Sequence, residues 1–137
     1  MIRVQIDVSI PQETLSVDAA YDQLLGIAQR LQAVHPSFDG WVQHPRPGDR
    51  GPLPLSDRSG TIERLSRYAA QDAEAFPGMP HPGSAEATLT TAHVESQWLT
   101  PGRGLIKFQP GFGRVLFEIY RPVAAYGPAD APRIVQR

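Results

Sequence analysis

The sequence predicts an α+β domain: a mostly antiparallel sheet, made of an N-terminal strand and a C-terminal meander, with two helices on one face. Three observations carry that reading. Ile2, Val4, Ile6, Val8 and Ile10 alternate with polar residues, the period of a strand that buries one side. Two stretches, 16–34 and 61–76, repeat apolar residues at steps of three and four, the period of a helix with one apolar stripe. From residue 87 onward, runs rich in Thr, Val, Ile and Phe alternate with Gly/Pro turns, as antiparallel strands do.

Pro11 ends the first strand. Ser16 is placed to cap the first helix, with Asp18 in the first turn where the helix dipole favours negative charge. Ala20, Leu24, Ile27, Ala28, Leu31 and Val34 form its stripe, and His35-Pro36 stops it. Phe38 to Gln43 fits either a short strand or an aromatic-anchored turn around Gly40. His44 to Asp57 reads as a long exposed loop, extended where its prolines lie. The second helix is expected over 61–76, burying Ile62, Leu65, Tyr68 and Ala69, and Pro77-Gly78 closes it. Ala87 to Leu99 reads as a strand anchored by Leu89, Val94 and Trp98, with a bulge where its alternation breaks. Two further strands, 105–109 and 114–121, are joined by the hairpin loop Pro110-Gly111-Phe112-Gly113. In the last of them Val115, Phe117 and Ile119 should be the buried face, and Leu116, Glu118 and Tyr120 the wetter one.

A chain of 137 residues and 15.0 kDa suits one domain, here 1–122, with 123–137 a loosely held Pro/Ala-rich tail. Cysteine is absent, which excludes a disulfide scaffold and a cysteine–zinc site. The net charge of −1 gives no general electrostatic reason to bind nucleic acid or an anionic membrane, so neither is an expected partner. No run approaches the roughly 18 apolar residues of a membrane span. No basic-then-apolar leader opens the sequence, so the cytoplasm is the expected compartment.

Spacings that carry chemistry are missing. His35, His44, His81 and His93 include no pair at helical ligand spacing, and no Gly-x-Ser-x-Gly element occurs. Gly102-Arg103-Gly104 and Gly111-Phe112-Gly113 do not open helices, as a phosphate cradle would require. Neither catalysis, cofactor nor metal is therefore expected. Arg58, Arg64 and Arg67 gather on one helix, diluted by Asp57 and Glu63, and read as a solvated face.

What remains is material for recognising a protein. The 44–57 loop carries Asp49, Arg50 and Asp57; Asp39 and Trp41 precede it, and Phe112 sits at a hairpin tip. Arginines and aromatics at loops are the residues that dominate interface energetics. For Trp41 the alternative is a core anchor, and for Phe112 a ring folded back onto the sheet.

The segment Leu24-Leu25-Gly26-Ile27-Ala28-Gln29-Arg30-Leu31-Gln32-Ala33-Val34-His35-Pro36-Ser37-Phe38-Asp39-Gly40-Trp41 resembles immunity protein family 52 of bacterial polymorphic toxin systems. The likeness lies in a helix with paired leucines followed by Pro, x, Phe, x, x, Trp. That resemblance implies a cytosolic immunity protein that binds and neutralises a cognate toxin effector delivered by a type VI or related secretion system. Toxins of such pairs often carry a nuclease fold. The expected contacts are Asp39, Trp41, Asp49, Arg50, Asp57 and Phe112, with the acids meeting a basic rim; a homodimer is the other association open to the chain. A reading from a different class is a structural or accessory subunit of a phage or secretion apparatus.

Overall fold

The computed structural model describes residues 3–79, 81, 83–122 and 124. Its elements are β1 (Arg3–Ser9), α1 (Val17–Val34), β2 (Val42–Gln43), β3 (Leu53–Pro54), α2 (Arg58–Ala75), β4 (Ala87–Thr90), β5 (Gly104–Gln109) and β6 (Arg114–Tyr120). The strands form one antiparallel sheet in the order β1-β6-β5-β4-β2-β3. The expected meander is its centre, the N-terminal strand lies beside β6, and the β2–β3 hairpin extends the other end. Ile2 and the 123–137 tail, apart from Ala124, lie outside the described residues.

Both helices bury their stripes in a single core on one face of this sheet. Ala20, Tyr21, Leu24 and Ala28 of α1 and Leu65 and Tyr68 of α2 meet Leu89, Ile106, Phe108 and Ile119. Ser16 caps α1 as expected, accepting from Ala19 N–H at 3.3 Å. The cap of α2 is Asp57, which accepts from Gly60 N–H at 3.0 Å. That helix therefore starts three residues before the expected Thr61, because an aspartate cap outweighs the poor helix propensity of Ser59 and Gly60. Ile62 is only half-buried, while Thr61 and Arg64 are buried instead.

Two strand expectations need correction. The strand expected over 87–99 ends at Thr90, and Val94 is 56% exposed. The following residues make a 3-10 turn, Glu95–Gln97, that brings the chain back to the sheet; Trp98 lies half-buried against His44, ring centroids 5.3 Å apart. In β6 the faces alternate as expected, but the burial order does not. Glu118, on the face without helices, is buried, whereas Phe117 on the core side is only partly so.

The reason lies in a polar layer on the open face. Arg103 Nη1–H donates to Glu118 Oε2 at 2.8 Å, and Gln5 Nε2–H donates to Oε1 at 2.9 Å. Arg103 also donates from Nε to Trp98 C=O at 2.9 Å and lies 4.4 Å over the Trp98 ring. Burial pushes the Glu118 carboxyl up; the hydrogen bonds from Gln5 and Arg103 and the charges of Arg103 and Arg3 outweigh it and hold the group below its ordinary range. An ion pair buried this way contributes little net stability over an apolar pair, but halving it strands a charge. We expect Arg103→Met to cost about 3–5 kcal/mol in urea unfolding at neutral pH. Adding Glu118→Leu should return most of that loss; equal stability of the single variant and the native chain would contradict this account.

Candidate interaction surface

The turn out of α1 builds the first part of the site. His35 N–H closes the helix on Leu31 C=O at 3.2 Å, and Phe38 N–H turns back to His35 C=O at 3.1 Å. Phe38 drops into the core edge-on to Phe117, at 5.4 Å and 84°. Trp41 follows it inward, its indole Nε1–H donating to Phe38 C=O at 3.1 Å. Trp41 is thus a core anchor, with its ring buried in the fold. Its ring lies on Gly104, where a Cβ would come within 2.7 Å of the indole.

Between α1 and the crossing chain at 39–42 and 52–56 lies a cleft of about 490 Å³. Trp41, Val42 and Leu55 make its buried floor, while Leu25, Pro52 and Pro54 leave apolar surface along its walls. Asp39 stands exposed at one side, with Oδ1 accepting from Gly40 N–H at 2.7 Å. Gly40 takes a φ of +67°, and its C=O is within 2.6 Å of His93 Nε2. Ser56 lines the cleft, and Asp57 follows it with an exposed carboxylate that also caps α2. Nearby, Tyr21 donates to Leu55 C=O at 2.6 Å, and its phenol is pushed up by burial; Arg58 works against that shift, and Asp22 and Asp57 add to it. Arg58 pairs with Asp22 at 3.0 Å and also feels Asp18. This end of the molecule therefore carries more carboxylates than cations.

The 44–57 loop is not the free recognition loop expected. Its chain folds onto α2 and contributes strand β3, whose Pro54 sits at the sheet edge where a missing N–H is tolerated. Arg46 holds Asp72 through two bonds of 2.8 Å and lies 4.2 Å over the Tyr68 ring. Tyr68 O–H donates to Asp49 Oδ2, which also accepts from Arg46 N–H at 3.0 Å, while Arg67 pairs with Asp49 Oδ1 at 3.0 Å. Arg64 donates to Gln43 Oε1 at 3.1 Å and to Gly51 C=O. Asp49 is thus spent inside the fold, and only Arg50 of the pair projects from it.

Phe112 is 44% exposed, as a recognition residue would be, but it belongs elsewhere. It follows the far end of β5 from the Gly104–Trp41 contact, roughly 20 Å away at strand rise. The structure therefore brings Asp39 and Asp57 to the surroundings of one cleft with Trp41 beneath, leaves Arg50 on the adjoining loop, and separates Phe112. Sequence reading missed Tyr21, Arg64, Arg103 and Glu118. Arg64 had a signal: it falls on the inward stripe with Thr61, Leu65 and Tyr68.

Among the described residues no group of three or more His, Asp or Glu is placed to hold a metal ion, and no helix is long and apolar enough to cross a membrane. No protein-family model matches the chain, and neither curated proteins nor solved structures give a match.

Two outcomes follow from this geometry. Trp41→Ala should cost about 3–5 kcal/mol in urea unfolding, the loss of a buried aromatic. The hydrogen bond from Tyr68, then those from Arg46 N–H and Arg67, hold the Asp49 carboxyl down at about 2, against an ordinary 3.8. A depressed carboxyl stabilises the fold above its unfolded value and loses that contribution as pH falls through the folded one. Asp49→Asn should therefore flatten the stability profile between about pH 4 and pH 2, read from urea midpoints, relative to the native chain.

Proposed function

We propose that the chain is an immunity-type binding protein, which captures a cognate secreted antibacterial toxin in the bacterial cytosol and occludes it. The observation that carries this reading is the cleft beside α1: apolar walls, the exposed Asp39 in its lining, and the exposed Asp57 next to its Ser56. An apolar slot bordered by carboxylates complements a basic surface that carries one protruding apolar side chain. The same segment that resembles immunity protein family 52, Leu24 to Trp41, supplies one wall and part of the floor. Trp41 acts from below by shaping the cleft, so the partner provides the inserted anchor. Capture of this kind buries roughly 1,200–2,000 Å². Near-complete silencing of a toxin calls for nanomolar affinity, about −12 kcal/mol.

The test is co-expression with the product of the neighbouring gene. That product should arrest growth alone and be harmless beside this chain, with a stable complex recovered on purification. Asp39→Arg, at an exposed position in the cleft lining, should weaken the complex at least tenfold while leaving the melting temperature in place. A neighbour that is harmless alone, or one that still kills when this protein is abundant and folded, would overturn the reading.

A further inference from the structure

The sheet has two edges, and the one remote from the cleft is β1. Ile10 N–H donates inward to Gly113 C=O at 2.9 Å, and the β1–β6 register runs unbroken from Ser9–Arg114 to Arg3–Tyr120. Backbone groups alternate sides along a strand. Val4, Ile6 and Val8 therefore aim theirs at β6, while Arg3, Gln5, Asp7 and Ser9 turn N–H and C=O away from the sheet. Natural edges are blunted by proline, charged side chains or bulges. β1 has no proline and no bulge over its seven residues, and its two charges, Arg3 and Asp7, are of opposite sign, so a second strand can satisfy them.

We propose that β1 pairs with β1 of a second copy of this chain, antiparallel about a two-fold axis at Gln5, so that Arg3 of each copy faces Asp7 of the other. The charges select that register. Arg3 and Asp7 have side chains 62% and 57% exposed, on the same face of the strand. Each already reaches an opposite charge in its own chain, Glu118 at 3.5 Å and Arg114 at 3.2 Å. Pairing about Gln5 lines up Glu118, Arg3, the second copy's Asp7 and its Arg114 as four charges of alternating sign, twice. Shifting the axis to Asp7 would oppose two like carboxylates, and shifting it to Ile6 would leave Arg3 facing a serine. Gln5, at the axis, has its backbone groups turned outward, as a hydrogen-bonded central pair needs.

The other face of the strand supplies the apolar half of the seam. A groove of about 950 Å³ runs between α1 and this edge, lined by Ile6, Val8, Ile10, Ile27, Leu31 and Val34 among others. Val8 is 48% exposed there. A two-fold axis normal to the sheet keeps both copies of α1 on one face, where their apolar flanks close the two grooves against each other. The cleft beside α1, β2 and β3 stays open at the outer ends of the twelve-stranded sheet so formed. This pairing is independent of what the cleft binds.

Sedimentation of the full chain should give twice 15.0 kDa at micromolar concentration. Asp7→Arg and Arg3→Asp, each alone, place like charges across the seam and should weaken the dimer at least tenfold. Mixed in equal amounts, the two variants should restore a dimer, because the seam between unlike chains again carries opposite charges. In the native chain, exchange of the outward Gln5 and Asp7 amides should slow as concentration rises, which needs no variant to fold. A native chain that stays monomeric to hundreds of micromolar, singles that dimerise as the native chain does, or exchange at these two amides that ignores concentration would each overturn the proposal.

Discussion

The placement of the cleft in this protein depends on an indole lying against a residue with no side chain. Gly104 opens β5 directly under Trp41, and any Cβ there would collide with the ring. That contact fixes where the chain leaves α1, because Trp41 also holds Phe38 C=O and Phe38 packs on Phe117 of β6. With the crossing fixed, β2 can pair with β4, β3 can pair with β2, and the cleft opens between them and α1. An ordinary core would tolerate a small shift at one such contact. Here the crossing strand has only two residues of ladder on each side, so the aromatic anchor does the positioning that strand length does elsewhere.

Polar side chains finish what the small apolar core begins. On the helix side Arg46, Arg64, Arg67, Tyr68, Asp49 and Asp72 clamp a proline-rich loop that has few apolar residues to bury. On the open side Arg103, Glu118 and Gln5 tie β5 and β6 to β1. The Arg103–Glu118 pair, Arg64 and the Asp49 carboxylate stand in nearly dry surroundings where an unmatched member is costly, and among the described residues every buried side-chain nitrogen and oxygen has a partner. Satisfied networks of this kind specify one arrangement of the loops more than they raise total stability.

The sheet order gives the molecule two distinct ends. At one, β2 and β3 with α1 enclose the cleft, with Asp39 in its lining and Asp57 beside it; at the other, β1 presents unpaired backbone and an apolar groove. Cleft and groove lie on opposite flanks of α1 and share no lining residue. The sheet order also explains why Phe112, exposed at the β5–β6 turn, belongs to neither the cleft nor its rim.

The local periods in the sequence determined the α+β class, the two helices and the β5–β6 hairpin, because period and punctuation act through residues close in the chain. Ser16 was legible as a cap for the same reason. Only the tertiary structure decided the rest. Whether Trp41 points in or out depends on Gly104, sixty-three positions away along the chain. Asp49 reads as a loop acid until Tyr68 and Arg67 are folded against it. Glu118 reads as the wet side of a strand until Arg103 and Gln5 close over it. A carboxylate has the same local pattern whether it meets solvent, a helix or another chain, and what it meets is set by partners distant in sequence.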